Sequence, residues 1–238
     1  MKDMRVAMYY SNEDIRLEQM PVPSIGEGEL LVRVLASGIC GSDVMGWYRE
    51  KSAPRVLGHE VSAEVVDVGN GVIRFSKGDR VVVTHHVPCN SCYYCLEGNH
   101  TLCDTLRTTN FDPGGFSEFL RVPRINVDRG VFLLPDSVSD DEGTFVEPLG
   151  CVIRGLRVAG FKAGQRVLII GSGISGLLHI NLLKMLGAGR VIAVDVNDGR
   201  LKAAKKFGAD HVIKAGEKMP EELVPVNGNR LPDLVVVC

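Results

Sequence analysis

The sequence predicts two domains of different class: a β-rich, barrel-like domain over residues 1–150 and an α/β domain over residues 151–238. Three observations carry this reading. Short β-branched runs separated by Gly, Asn and Asp recur through the first part. Near residue 145 the pattern turns into an alternation of strand, helix, strand, helix and strand. At the start of that alternation the glycine-rich stretch "GSGISG" stands between a strand-like and a helix-like run.

Along the first domain, "ELLVRVLASGIC" (29–40) alternates in strand fashion and runs into a Gly-bounded turn. "EVSAEVVDVGNGV" (60–72) and "GDRVVVTHHV" (78–87) repeat the signal, and "GGFSEFLRVPRINVDR" (114–129) is read as a further strand region. "GTFVEPLGCVIRGLRVAG" (143–160) carries apolar residues at helical spacing and is closed by Gly160. In the second domain "RVLII" and "RVIAVD" are continuous apolar runs, as parallel strands covered on both faces require. The last run, "LPDLVVVC", reads as the fourth parallel strand of a doubly wound sheet of order 3-2-1-4-5-6, whose fifth and sixth strands are not in the sequence. A bare apolar edge strand is an aggregation hazard. The chain is therefore expected to be a fragment of a longer protein.

Composition narrows the function. A net charge of −2 with scattered Lys and Arg speaks against nucleic acid or an anionic membrane as partner. No run reaches the roughly 20 apolar residues of a membrane span, and the N-terminal stretch carries acids where a signal peptide is apolar. A cytoplasmic protein is expected, with its thiols reduced.

Four of the seven cysteines fall in "PCNSCYYCLEGNHTLC": Cys89, Cys92, Cys95 and Cys103, spaced C-x2-C-x2-C-x7-C. A disulfide framework, a redox pair and a metal site compete for them. The reduced compartment disfavours the first, and a third and fourth cysteine disfavour the second. Four thiolates suit one tetrahedral zinc with no open position, a structural site that folds a small lobe at about 88–104. His100 inside the lobe is then a surface residue.

"GSGISG" matches G-x-G-x-x-G in the context the motif needs, after a strand and opening a helix. Gly171 makes the turn, Gly173 admits a pyrophosphate, Gly176 lets helix and strand approach, and Ile174 and Ser175 lie at the helix N-terminus that faces the phosphates. Asp195 ends the next strand, 19 residues after Gly176. A carboxylate there accepts ribose hydroxyls and repels a 2′-phosphate, which favours NAD over NADP. Arg200 either lines the adenine pocket or is a solvated helix residue.

Three further stretches are bland singly: "GICGSD" with Cys40, Ser42 and Asp43, "GHE" with His59 and Glu60, and "EPL" with Glu147. Together, and in order with "GDRVVV", the four-cysteine lobe and "GSGISG", they resemble the zinc-containing medium-chain alcohol dehydrogenases along essentially the whole chain. "EPL" resembles their polyol (sorbitol) and threonine dehydrogenase branch. The resemblance implies a GroES-like barrel domain followed by a Rossmann NAD-binding domain. It implies a catalytic zinc held by Cys40, His59 and Glu147, with Glu60 as a fourth ligand or as the holder of the zinc-bound water. It implies oxidation of a secondary alcohol of a polyol, sugar or related hydroxy compound, with hydride passing to NAD. An L-threonine 3-dehydrogenase-like activity and an inactive zinc- and nucleotide-binding fragment are the alternatives. Ser42 matches the first proton-relay hydroxyl, and Asp43 a residue that orients the ligands. Met45 stands near the place where many members carry a relay histidine, so the outer relay is altered. Cys151, one helical turn beyond Glu147, is read as a core residue. Trp47 and "TNFDPGGF" border the pocket or merely pack. The partners implied are a small-molecule substrate and, at full length, further copies in a homo-dimer or homo-tetramer.

Overall fold

A computed structural model describes residues 3–238, in two compact units: one ending at Glu147, the other spanning Pro148–Cys238. In the first, alternation places Met4 and Val6 of β1 (Asp3–Ser11) on one buried face with Met8 packed beside them, while Tyr9, on the opposite face, is buried as well. This strand pairs antiparallel with β2 (Asp14–Pro21) and with the two-residue β4 (Arg55–Val56), a three-stranded sheet of order β2-β1-β4. A second, antiparallel sheet contains β3 (Leu30–Gly38), β5 (Glu60–Val68), β6 (Arg80–Thr84), β7 (Phe119–Val122) and β8 (Val131–Leu133), in the order β7-β3-β5-β6-β8.

The inward residues of these strands form one apolar core: Leu30, Val32, Val61, Ala63, Val65, Val81, Val83, Leu120 and Val122 are all buried. Residues 116–118 stitch the two sheets. Ala7 N–H donates to the Phe116 carbonyl, Glu118 N–H to Arg5, and Val34 N–H to the Glu118 carbonyl. Closing sheet edges this way leaves fewer unpaired backbone groups, which is what makes a small barrel stable.

The stretch 114–129 is only partly strand. β7 ends at Val122, and "RINVDRG" is a helix, Arg124–Gly130. Pro123 decides this. It has no N–H to continue a ladder, and its φ of −61° suits the residue that opens a helix. A short helix, Asp140–Gly143, follows a capping box made by Ser139 and Glu142.

The second unit carries β9 (Arg166–Ile170), β10 (Arg190–Asp195), β11 (His211–Lys214) and β12 (Leu234–Val237), all parallel, in the order β11-β10-β9-β12. This is the expected 3-2-1-4 arrangement. Successive residues of β9 face opposite layers: Val167 and Ile169 pack with Val152, Leu156, Ile180 and Leu183, whereas Leu168 packs with Ile213 and Leu223. The helices Val146–Val158 and Ile174–Met185 thus share one face of the sheet, and Met219–Val226 covers the other. Burial on both faces explains why these strands read as unbroken apolar runs. Cys151 departs from expectation: it is exposed on the helix Val146–Val158, because Val152 and Leu156 take the inward positions.

Candidate metal and nucleotide sites

The cysteine lobe is turn-rich, with Asn90 (φ 57°) and Gly98 (φ 77°) in left-handed conformation, and it exposes Tyr93, Leu96 and Leu102. Its own apolar core is small. What converges instead are four sulfurs: the ligand atoms of Cys89, Cys92, Cys95 and Cys103 all lie within 4.8 Å of one another. Cys89 Sγ is 3.9 Å from Cys95 Sγ, and Cys92 Sγ is 3.5 Å from Cys95 Sγ. A tetrahedron of Zn–S bonds of about 2.3 Å has edges of about 3.8 Å, so the donor set has the size zinc needs. Backbone N–H groups already point at the sulfurs, from Ser91 and Cys92 to Cys89 and from Cys89 to Cys103. Those of Ser91, then Cys92, pull the Cys89 thiol down to about 5, favouring the thiolate a metal requires. His100 lies in a neighbouring turn, outside this group.

The second cluster forms through strand pairing. Gly38 of β3 lies opposite Glu60 of β5, which brings "GICGSD" beside "GHE". A side chain at Gly38 would displace the Glu60 carboxylate, because a Cβ there would collide with Oε2. As a result Cys40, His59 and Glu60 offer ligand atoms within 4.8 Å of one another. Asp43 ties the group together from a buried position: Oδ2 accepts from Cys40 N–H at 3.0 Å, and Oδ1 lies 3.5 Å from His59 Nδ1. With Nδ1 facing a carboxylate, Nε2 is left as the ligand atom of the ring. Burial disfavours the charged imidazole, but Asp43 and then Cys40 outweigh it and hold the His59 proton up to about 9; a bound metal ion competes with that proton. Burial first, and then Glu147, raises the Glu60 carboxyl.

Glu147 stands in the first turn of the helix Val146–Val158, near enough for its charge to act on Glu60. Its carboxylate is not one of the three ligand atoms that meet within 4.8 Å. Met45 and Trp47 are exposed. In "TNFDPGGF", Phe111 is core, and Gly114 and Gly115 are buried where a Cβ would run into the backbone of Val56 and Gly58.

Two histidines passed over in the sequence lie here. The His85 ring is 4.8 Å from that of His59 and 3.9 Å from that of His86, and burial drives its pKa down to about 3, keeping it neutral. Its Nδ1 is buried without a partner among the described residues. "HH" three residues before Cys89 was visible, but nothing in its spacing connects it with His59.

In the second unit the helix Ile174–Met185 begins directly after Gly173, so Ile174 and Ser175 present free N–H groups at its N-terminus. Gly171 has φ 97°, open only to glycine without strain, and a Cβ there would be 2.5 Å from the Cys238 carbonyl oxygen. At Gly176 a Cβ would collide with the Gly171 carbonyl oxygen, whereas at Gly173 it would meet nothing within 4 Å. Gly171 and Gly176 are demanded by the chain's own packing, and Gly173 leaves a cradle for a phosphate. Gly176→Ala should therefore lower stability by roughly 1–3 kcal/mol, the cost of overpacking, as read from denaturant midpoints; an unchanged midpoint would mean that the loop shifts freely.

Asp195 is only 5% exposed. Oδ2 accepts from Ser172 N–H and Oδ1 from Asn197 N–H, both at 2.8 Å. It thus pins the glycine loop to β10, a role the sequence did not disclose, while its remaining lone pairs stay available to a ribose. Those two N–H groups hold its carboxyl below the usual range. Arg200 is largely exposed, its guanidinium 3.8 Å from Asp195.

Comparisons with known proteins agree with this geometry. Residues 26–136 match the alcohol dehydrogenase GroES-like domain, and residues 175–238 match the zinc-binding dehydrogenase model. The chain is 34% identical to a sorbitol dehydrogenase of Bacillus subtilis, over 98% of this chain and 67% of that protein. It is also 34% identical to an L-threonine 3-dehydrogenase of Rhizobium etli, over 92% and 64%. The crystal structure of galactitol-1-phosphate dehydrogenase from Escherichia coli superposes with a TM-score of 0.84 at 30% identity, covering 98% of this chain and 67% of that one. The chain thus spans about two thirds of the length of these relatives.

Proposed function

The chain belongs to the zinc-binding, GroES-like alcohol dehydrogenase family, and from that premise we propose that it forms the metal-binding and nucleotide-binding parts of an NAD(P)-dependent oxidoreductase for secondary alcohols of polyols and sugars. The observation that carries the reading is the meeting of Cys40, His59 and Glu60 at one point, with Glu147 beside them. One thiolate, one imidazole and carboxylates suit a catalytic zinc that keeps a position open. When bound, zinc lowers the pKa of an alcohol hydroxyl and NAD(P) accepts the hydride.

The protein's own residues supply the rest. Cys40, His59 and the two glutamates hold the ion; Asp43 orients His59; Ser42 offers a hydroxyl to the reacting oxygen. Gly171, Gly173 and the N–H groups of Ile174 and Ser175 seat the pyrophosphate, and Asp195 takes the ribose. The four-cysteine lobe holds a second, structural zinc. Among the described residues no helix is long and apolar enough to cross a membrane. We place the enzyme in the cytoplasm, as a homo-dimer or homo-tetramer.

The test is a screen of polyols, sugars and L-threonine for NADH or NADPH formation by full-length protein, with metal analysis. Polyol oxidation at about two zinc ions per chain is expected. Zinc-loaded protein inert toward every polyol and sugar would overturn the polyol reading. Equal identity to sorbitol and threonine dehydrogenases keeps the latter as the second reading, and turnover of threonine alone would select it.

Asp195 is proposed to favour NAD. Asp195→Ala should relax discrimination against NADP by roughly 1–3 kcal/mol, since a charged acceptor and a repulsion are lost together. The folded carboxyl has a depressed pKa. Its contribution to stability is therefore present above the unfolded value of about 3.9, and is lost only as pH falls through the lower folded value. Discrimination should accordingly stay flat down to about pH 5. A native preference for NADP, or a loss of discrimination well above that pH, would refute the assignment.

A further inference from the structure

Arg49 closes the short helix Gly46–Arg49, just after the 3-10 turn Gly41–Val44 that carries Ser42 and Asp43. In the sequence it resembles any solvated cation. In the structure its side chain is only 13% exposed and folds back onto that turn. Nε donates to the Ser42 carbonyl at 2.9 Å and Nη2 to Ser42 Oγ at 2.8 Å, while Nη2 also lies 3.4 Å from Asp43 Oδ1. The guanidinium rests over the Tyr48 ring, 4.8 Å from its centroid. An arginine gives up hydration for such contacts only where its planar fork meets several fixed acceptors at once. Here the acceptors belong to two consecutive residues that both bear on the metal position. Ser42 N–H points at Cys40 Sγ, and Asp43 accepts from Cys40 N–H and faces His59.

The consequence falls on the Ser42 hydroxyl. Its oxygen is engaged by Arg49, and its own O–H has no acceptor among the described residues. The geometry points to Arg49 as the positioning residue of this site: it locks Ser42 in one rotamer with the O–H free to donate to the oxygen of the bound substrate, and braces Asp43 behind His59. Arg49 donates to this hydroxyl through a fork that offers donors and no acceptor, so it holds and polarises the hydroxyl and accepts no hydrogen bond from it. Its permanent charge also favours negative charge developing on the substrate oxygen. The inference rests on the dehydrogenase reading above.

The test uses full-length, zinc-loaded protein with Arg49→Met, which keeps the length and removes the charge, and Arg49→Lys. In Arg49→Met, kcat should fall roughly 10- to 100-fold, the scale of a lost charge-assisted hydrogen bond, with KM for the alcohol moving less than about threefold. Zinc content and Tm should hold, Arg49→Lys should be intermediate, and millimolar guanidinium should restore part of the rate. Independently of turnover, the crystal structure of Arg49→Met should show Ser42 Oγ in more than one rotamer. A kcat within about twofold of the unmodified protein, or Ser42 unmoved, would overturn the assignment. So would a loss of rate that comes with loss of zinc and resists guanidinium, since that marks a merely structural role. If the unmodified protein oxidises no alcohol, the dehydrogenase reading has failed, and the Ser42 rotamer alone then decides the role of Arg49.

Discussion

Cys92→Ser is expected to lower zinc content by about one ion per chain and to cost a large share of the stability of the first unit. Structural zinc contributes on the order of 10–16 kcal/mol in small domains built around it, and this lobe exposes Tyr93, Leu96 and Leu102 with little apolar core to replace it. Serine keeps the volume but is a poor ligand, leaving three thiolates crowded without the full tetrahedral set. A drop in Tm of roughly 5–15 °C should follow, measurable by calorimetry alongside metal analysis. The specific contrast is with turnover. Intact stability combined with abolished turnover would show that the four-cysteine site does chemistry, and the structural assignment would have to be given up.

His59→Ala should act in the opposite sense. It removes the imidazole from the Cys40, His59 and Glu60 cluster and leaves Arg49 as the cation facing buried Asp43 Oδ1. Turnover by the full-length protein should fall by at least about 10³-fold, or roughly 4 kcal/mol in transition-state stabilisation. Zinc content should drop by about one ion, distinct from the ion lost in Cys92→Ser. NAD(P) affinity should survive, because the glycine loop and Asp195 lie in the other unit. Fluorescence titration with NADH separates the two effects. Retention of turnover within tenfold would mean that His59 is not a ligand, and would reopen the assignment of the catalytic ion as a whole.

What was legible in the sequence was whatever lies close along the chain. The cysteine lobe places four ligands within fifteen residues, so spacing alone brings their sulfurs together. "GSGISG" and its helix are likewise contiguous, and unbroken apolar runs announced a sheet covered on both faces, down to the 3-2-1-4 order. The stretch after Pro123 was misread because its β-branched residues suit a strand, while the proline, which ends the ladder, outranks them. Cys40, His59 and Glu60 could be linked only through resemblance. Their meeting depends on the register that sets Gly38 against Glu60, and register is decided by which faces two strands can bury. Tertiary structure alone determined that Arg49 turns inward onto Ser42, that His85 packs on His59, and that the Asp195 oxygens are engaged by backbone N–H groups, one from the glycine loop and one from the turn after β10. Those arrangements depend on where side chains from different segments point once packed, and a one-dimensional pattern of polar and apolar residues carries the faces of elements but not the directions of individual polar groups.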